Sequence, residues 1–443
     1  MNRSELLVIG GVAAGMSAAS RARRADPRLS ITVLEKSRDV SYSACGLPWL
    51  AAGKLAARDL VVHDADFFRQ KREIDVRTGV EAREIELGRR LVRGVETETG
   101  REQTFHFDRL VIATGARVAW PTIERLPHMF SANTLASVGA LDVCIRQTNA
   151  RQAVVLGGGY IGLETADALR TRGLSVTVLQ RAERILRPFD DEITSRVEHT
   201  MTARGISLRK GSAAVAVNDS EVVSDAGRHP AQLVVVATGM RPDTDLAETA
   251  SLTLGPTGAI AVDDRMRTSE PSIFAAGDCA ESRHLVTGRA VWLPLGTTAN
   301  KQGRVAGENA AGLSGHARFP GVAGTMVTEI CGLECARTGL SEREAEAFSL
   351  RTRSVGIEQY THASYLGAGK VFAKLTAERG SGRLLGAQMA GPGAGKRIDV
   401  AATAITARMT VEELSQLDLS YHPAVAPVWE ALLVAAHEIM KQV

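Results

Sequence analysis

Aromatic side chains are scarce in this chain, 4% of 443 residues, which argues against an antiparallel sandwich built on aromatic and β-branched strands. Cysteine is sparse too. The five present (Cys45, Cys144, Cys279, Cys331 and Cys335) are odd in number, with no CxxC pair and no paired metal-ligand spacing. A disulfide scaffold is not expected on that count, and neither is a metal site. No apolar run approaches the roughly 18 residues that a membrane span requires. Nor does one sign of charge dominate: 53 basic against 50 acidic side chains leave a net +3. The whole-chain field therefore gives no reason to expect nucleic acid or a membrane surface as partner, and any anion site must be local. The opening stretch MNRSELLVIGG has no cationic segment followed by an apolar run and a small-residue cleavage site, so the chain is read as cytoplasmic and reducing.

What the chain does hold is glycine, 42 residues of it, and much alanine, a composition suited to helices packed closely on a sheet. At roughly 100–200 residues per domain its length allows two to four domains. The local pattern is α/β. Leu6 to Ile9 is a short apolar run; glycines, an Ala/Arg-rich segment from Ala13 to Ala25 and a second run from Ile31 to Leu34 follow, reading as strand, turn, helix, strand. The unit recurs at Ala153 to Leu156, Gly157 to Gly162, Leu163 to Arg172 and Ser175 to Leu179. Two apolar strands ending in Ala-Thr-Gly, Leu110 to Gly115 and Val234 to Gly239, are each read as the last strand of a nucleotide-binding lobe. Ser272 to Asp278, ending in Gly-Asp, fits the first lobe better than the second, which makes the second lobe an insertion. From about Gly321 the texture changes to alternating segments, Lys370 to Leu375 and Leu384 to Met389, and to amphipathic helices near Asp399 to Arg408 and Pro427 to Met440. A separate α+β domain is predicted there.

Gly157, Gly159 and Gly162, with Tyr160 and Ile161 between them, complete GxGxxG between an apolar strand and a helix. Such glycines allow the tight turn and close approach of a pyrophosphate, and the helix N-terminus supplies amide donors. The first turn is looser. Gly10, Gly11, Val12, Ala13, Ala14 and Gly15 put Val12 at the central glycine, but Glu35 ends the next strand 20 residues after Gly15, where a carboxylate can accept from a ribose hydroxyl. At the corresponding place in the second unit stand Gln180 and Arg181, with Arg184 and Arg187 nearby. An amide beside a guanidinium tolerates a 2′-phosphate that an acid would repel, so NADPH is favoured, with NADH use left open. The alternative is that these arginines form a solvated loop face.

In order, GGVAAG, SYSACGLP, IATGA, GGGYIGLE, VATGMRPD and IFAAGDCAE resemble the flavin-dependent pyridine-nucleotide–disulfide oxidoreductases, and within them the single-cysteine branch typified by coenzyme A-disulfide reductase. The resemblance covers essentially the whole chain. It implies an α/β fold of two dinucleotide-binding, Rossmann-like domains, one inserted in the other, plus a C-terminal α+β dimerisation domain. The boundaries expected are 1–118 and 241–318 for FAD, 119–240 for NAD(P)H, and 319–443 for a homodimer interface. It further implies that FAD meets Gly10, Ala13, Ala14, Gly15, Glu35, Lys36, Ala113, Thr114, Gly115, Gly277, Asp278 and Thr298. Asp278 would accept from a ribityl hydroxyl. NAD(P)H would meet Gly157, Gly159, Tyr160, Ile161, Gly162, Glu164, Gln180, Arg181 and Gly239, with Tyr160 lying over the flavin and Glu164 lining the nicotinamide site.

The disulfide-reducing branch with two cysteines uses CxxxxC, and the position of its other cysteine is Val40 here. Cys45 therefore has no neighbour in its loop with which to close a disulfide. Its oxidised states are a mixed disulfide with a small thiol, a persulfide or a sulfenic acid. A helix N-terminus beginning near Gly46 is expected to lower its pKa from about 8.5. The resemblance implies a Cys45–S–S–CoA mixed disulfide that the flavin reduces. The other four cysteines are read as packing residues, Cys331 and Cys335 having a spacing compatible with one helix face.

Coenzyme A carries a pyrophosphate and a 3′-phosphate, so its site should offer cations and hydroxyls. By resemblance, Ser17, Arg21, Arg24, Ser41, Ser43, Arg72, Asn300 and Arg304 match CoA contacts, whereas Ala44 stands where some relatives carry Asn. A solvated helix face is the other reading of the arginines. Two tyrosines of a partner subunit, Tyr365 and Tyr421, are implied near the cysteine as proton donors, with His422 a rival to Tyr421. Three functions follow. The leading one is CoA-disulfide reduction, extending to CoA persulfide or polysulfide. The others are an NAD(P)H oxidase or peroxidase cycling Cys45 through sulfenic acid, and a nucleotide-sensing flavoprotein. No rhodanese-like stretch follows Val443, so a persulfide role is expected to need a separate sulfur donor.

Overall fold

The computed structural model describes residues 4–312 and 316–443; Met1–Arg3, part of the opening stretch read above, lie outside it. The helices used below are, in chain order, α1 (Ala13–Ala25), α2 (Leu47–Ala51), α3 (Ala65–Arg72), α4 (Leu135–Thr148), α5 (Tyr160–Thr171), α6 (Asp191–Ala203), α7 (Asp245–Thr249), α8 (Gly296–Ala311), α9 (Glu342–Ala347), α10 (Ala394–Thr406), α11 (Val411–Ser415) and α12 (Ala431–Met440). No helix among the described residues is long and apolar enough to cross a membrane.

The two repeated units fold as two parallel sheets. In the first the order is Ile273–Ala275, Arg109–Ile112, Glu5–Ile9, Ser30–Glu35, Asp75–Thr78; in the second it is Ser207–Lys210, Ser175–Gln180, Gln152–Leu156, Leu233–Val236, Met129–Ser131. Both central strands are buried beyond their first residue, as parallel strands covered on both faces must be. Ile273–Ala275 pairs with Arg109–Ile112, so the Gly-Asp strand does join the first sheet. The first Ala-Thr-Gly strand needs correcting: it lies beside the central strand and Ile273–Ala275 follows it as the last strand of that sheet, whereas Leu233–Val236 is the last strand of the second sheet in chain order.

The crossings between the sheets, Ala116–Val118 and Met240–Pro242, pair antiparallel as a short ribbon. Arg117 closes it with ion pairs to Asp243 at 2.5 Å and Asp245 at 2.6 Å. A third sheet is antiparallel, in the order Met326–Ile330, Leu333–Gly339, Leu384–Ala390, Lys370–Glu378, Thr352–Tyr360. The apolar faces of α10, α11 and α12 cover it. α12 starts at Ala431 rather than near Pro427, because Val428 and Trp429 are exposed and belong to the preceding loop. α10 starts earlier than the sequence suggests, at Ala394 behind Gly393, which adopts a φ of +74°.

α1 and α8 are pressed together by glycine. A Cβ on Gly303 would lie 2.2 Å from the carbonyl oxygen of Ala14, and one on Gly307 2.1 Å from that of Ala18. Only a missing side chain permits this approach, so Gly307→Val should lower stability by about 3 kcal/mol, the upper range for overpacking. Thermal unfolding followed by circular dichroism should show a clearly lower Tm; an unchanged Tm would mean that the helices do not meet this closely.

Candidate active site

Backbone geometry dictates the two glycine turns. Gly10 sits at φ +104°, and a Cβ there would lie 2.1 Å from the Ala113 carbonyl oxygen; one on Gly15 would lie 1.8 Å from that of Gly10. Gly157 and Gly162 repeat the arrangement, against Ala237 and Gly157 respectively. Neither α1 nor α5 has a side-chain N-cap, so their first amides face the space in front of each turn. A Cβ built on Gly159 or on Gly239 would meet no atom within 4 Å. Both turns thus leave room for a phosphate against a helix N-terminus.

Glu35 accepts from Gly11 N at 2.7 Å and from Ser37 N at 2.8 Å, one bond to each oxygen. Each oxygen keeps a lone pair for a ribose hydroxyl. Gln180 occupies the same place in the second unit, accepting from Gly158 N at 2.9 Å and donating to the Arg184 carbonyl at 2.9 Å. Arg184 is itself committed, to Asp191 at 2.7 Å and to the Phe189 carbonyl at 2.9 Å. Arg181 and Arg187 are exposed and have no ion pair among the described residues. Lys36 lies 3.9 Å from Asp243, and Thr114 Oγ1 donates to the Asp243 carbonyl at 2.6 Å, so both serve the ribbon between the lobes. Ala14 is a buried packing residue: a Cβ on Gly277 would meet its Cβ at 2.8 Å. Gly115 turns at φ +76°, Ile161 is half-buried and Thr298 is buried on α8.

Asp278 follows Gly277, whose amide donates to Gln302 at 2.9 Å, and its own carbonyl accepts from Trp292 Nε1 at 2.7 Å. Its carboxylate has no hydrogen-bond partner among the described residues. Burial alone pushes it up to about 6. A half-buried, unpartnered carboxylate beside two open glycine turns is the donor set that FAD would complete, and the residues fit that group and NAD(P)H. Gln302, fully buried, and Trp292 were not legible in sequence, since no local motif marks a residue that holds another chain segment in place.

Cys45 lies in a 3-10 turn, Ala44–Gly46, leading into α2. The segment before it is sewn down: Ser41 N donates to the Gly11 carbonyl at 2.8 Å, and Ser43 N to that of Leu60 at 2.8 Å. Ser41 takes a left-handed φ of +50° to do so. Val40 is buried and aliphatic, and all five cysteines are free. A Cβ on Gly296, the first residue of α8, would stand 3.8 Å from Cys45 Sγ. Glu164 and Asp278 lie near enough to raise the Cys45 thiol, and together with Cys45 they raise the Tyr160 hydroxyl, so the four groups border one cleft. Their effect reverses the sequence expectation. Burial first, then Glu164 and Asp278, push the Cys45 thiol up, and the five-residue α2 does not offset them. Cys45 as a residue remains exposed, so a small disulfide can reach it although the walls of the cleft disfavour its charge.

Glu164 is tied to the third domain, accepting from Thr328 Oγ1 at 2.5 Å, and burial pushes its carboxyl up. One helical turn on, Asp167 accepts from Cys331 N at 2.9 Å. Cys331 and Cys335 are on the hairpin formed by Met326–Ile330 and Leu333–Gly339, not on a helix, because Cys331 takes the φ of +54° that the turn needs. Cys279 and Cys335 are buried and Cys144 partly so.

The expected cationic residues converge. Arg24 is held below its ordinary value by burial and by Arg304, Arg72 and Arg21, so α1, α3 and α8 bring four guanidinium groups together. Arg21 is neutralised by Glu308 at 2.7 Å. Arg24, Arg72 and Arg304 have no carboxylate partner among the described residues. Ser17 donates to Asn300 Oδ1 at 2.7 Å, and Asn300 donates to the Gly296 carbonyl at 2.8 Å, so this pair spans from the arginines to the cysteine end of α8. Ser43 is exposed beside Cys45. Tyr365 and Tyr421 are 79% and 57% exposed on the third domain, in loops joined by the Ala363 N to Pro423 carbonyl bond at 2.9 Å. Neither is among the groups facing Cys45 in its own chain. His422 lies in the same loop, its Nδ1 accepting from Ala424 N at 3.3 Å.

Two nucleotide turns opening toward one solitary cysteine define an oxidoreductase that works with a pyridine nucleotide and a flavin. Residues 4–303 match the pyridine nucleotide-disulphide oxidoreductase family and residues 325–432 match its dimerisation domain; the chain belongs to that family. Among similar proteins, the NAD(P)H coenzyme A polysulfide/persulfide reductase of Pyrococcus horikoshii is 38% identical over 443 residues, 98% of either chain. The coenzyme A disulfide reductase of Staphylococcus haemolyticus is 29% identical over 423 residues, 95% of either chain. The structure of a NAD-dependent persulfide reductase from A. fulgidus superposes with a TM-score of 0.95 at 38% identity, covering 99% of this chain and 83% of that one.

Because Glu164 raises the thiol through like charge, Glu164→Gln should move the pH profile of Cys45 alkylation by iodoacetamide to lower pH. The rate constant measured across the alkaline range checks this. An unmoved midpoint would mean that Glu164 does not act on the sulfur.

Proposed function

We propose that this chain uses NAD(P)H to reduce coenzyme A disulfide, and by the same thiolate the sulfane sulfur of CoA persulfide or polysulfide. One observation carries the reading: an exposed cysteine without a local partner lies at one end of α8, and Arg304, further along that helix, gathers with Arg24 of α1 and Arg72 of α3. The names of the similar proteins point the same way. We assign residues 1–118 and 241–318 to FAD, 119–240 to NAD(P)H and 319–443 to a homodimer interface.

FAD, when bound, takes hydride from NAD(P)H and supplies an electron pair to sulfur. Everything else is done by the chain. Arg24, Arg72 and Arg304 hold the phosphates of the substrate, with Ser17, Ser41, Ser43 and Asn300 supplying polar contacts along the way. Cys45 thiolate attacks one sulfur of the CoA disulfide; a Cys45–S–S–CoA bond forms, the substrate S–S bond breaks, and one CoA thiolate leaves. The electron pair then cleaves the mixed disulfide, regenerating Cys45 thiolate and releasing the second CoA. Two protons, one from the medium and one accompanying NAD(P)H oxidation, complete two CoA thiols. Tyr421 of the partner subunit, aided by Tyr365 of the partner subunit, protonates the leaving thiolate.

Mass spectrometry of the purified protein before and after reductant tests this. The peptide bearing Cys45 should lose one CoA on reduction, and Cys45→Ser should lower disulfide turnover at least ~10³-fold. A sulfenic adduct without CoA, or undiminished turnover in the serine variant, overturns it. We further assign the 2′-phosphate of NADPH to Arg181 and Arg187. Arg181→Glu should raise the KM for NADPH ~10-fold or more and leave that for NADH nearly unchanged, as steady-state kinetics would show.

A further inference from the structure

The helix that carries the second glycine turn has a second end. α5 begins at the nucleotide turn with Tyr160, and Arg172, the residue that caps its C-terminus after Thr171, reaches out of the lobe. Arg172 Nη1 donates to the carbonyl of Ala51 at 3.2 Å and to Asp142 Oδ1 at 2.7 Å. Both charged side chains are largely shielded from solvent, 14% and 15% exposed. Ala51 is the last residue of α2, the helix that starts two residues after Cys45. Its carbonyl is one of those that a helix leaves unpaired at its C-terminus, and a cation there is favoured. Gly53, at φ +72°, lets the guanidinium lie 3.6 Å from where a Cβ would stand. Asp142, on α4, is completed by Arg146 at 2.8 Å. The apolar side of α2 agrees: Leu47, Leu50 and Ala51 are buried in the core of the NAD(P)H lobe, with Leu163, Ala166 and Leu169 of α5.

We propose that Arg172, held by Asp142, is a positioning residue that fixes α2, and through it Cys45, against the rigid helix whose other end receives the nucleotide. The electron donor and the sulfur are then registered on one helix rather than on two lobes that move independently. Sequence reasoning passed over Arg172 because a helix-terminal arginine is usually solvated. This inference rests on the Cys45 reading above and adds the means by which the thiol is placed.

The test uses the FAD-loaded enzyme and variants Arg172→Met, Asp142→Asn and Arg172→Lys, with Tm recorded for each. Three properties are read: stopped-flow bleaching of the flavin by NADPH, the long-wavelength charge-transfer band that a thiolate makes beside oxidised flavin, recorded at alkaline pH where the raised thiol ionises, and iodoacetamide alkylation of Cys45 at the same pH. Arg172→Met and Asp142→Asn should keep flavin bleaching within about twofold, lose at least half of the charge-transfer band and change the alkylation rate severalfold, while disulfide turnover falls ~10-fold. Arg172→Lys, which keeps the charge but not the fork, should lie between them and the native enzyme. A band and an alkylation rate unchanged in both Arg172→Met and Asp142→Asn overturn the proposal, as does a bleaching rate that falls in step with turnover. If the native enzyme lacks the band and Cys45→Ser keeps its turnover, the Cys45 reading itself fails and this one falls with it.

Discussion

The chemistry depends on a thiol whose charged neighbours are carboxylates. Glu164 and Asp278 face Cys45, and burial raises both the thiol and the Asp278 carboxyl. A thiol placed so is slow to ionise, but once ionised it is a stronger nucleophile than a low-pKa thiolate, since nucleophilicity falls with pKa. The same field acts on a departing thiolate, favouring its protonation and discouraging its return. An acidic cleft therefore suits a site that must expel one thiol for every bond it forms.

Much of this was legible because it is local. The glycine turns, α1 to the residue, the central strands and the positions of Cys45 and Asp278 follow from short-range periodicity and from backbone approaches that only glycine allows. The clustering of Arg24, Arg72 and Arg304 also proved readable, once a family resemblance set residues from three helices side by side. What stayed hidden is tertiary. Nothing near Cys45 announces that residues 164 and 278 will face it, so the sign of its pKa shift came out reversed. The spacing of Cys331 and Cys335 suits a helix and a hairpin alike, and only pairing with Leu384–Ala390 decides between them.

The second lobe is held on its other side by charge. Lys374, from the third sheet, is 5% exposed and meets Asp190 at 3.2 Å, Glu192 at 2.9 Å and Glu342 at 2.8 Å. Gln388 adds a bond to Asp190 at 2.6 Å. Such a cluster contributes little net stability, because burying the ions costs about as much as their attraction returns, but removing one member leaves carboxylates stranded. With Glu164 on Thr328 and Asp167 on Cys331 N, the lobe is fixed to the third domain by directional bonds.

A net charge of +3 conceals two local fields of opposite sign, and α8 connects them. Its first residue, Gly296, borders Cys45 in the acidic cleft, and Arg304, eight residues on (304 − 296), belongs to the cationic cluster. At 1.5 Å per residue the two lie roughly 12 Å apart along the axis. A molecule with phosphates at one end, an extended neutral arm and sulfur at the other can satisfy both fields at once; a compact disulfide such as cystine cannot span them. Because the glycines press α8 onto α1, the same close packing that joins the two helices also fixes where Arg304 stands relative to Arg24.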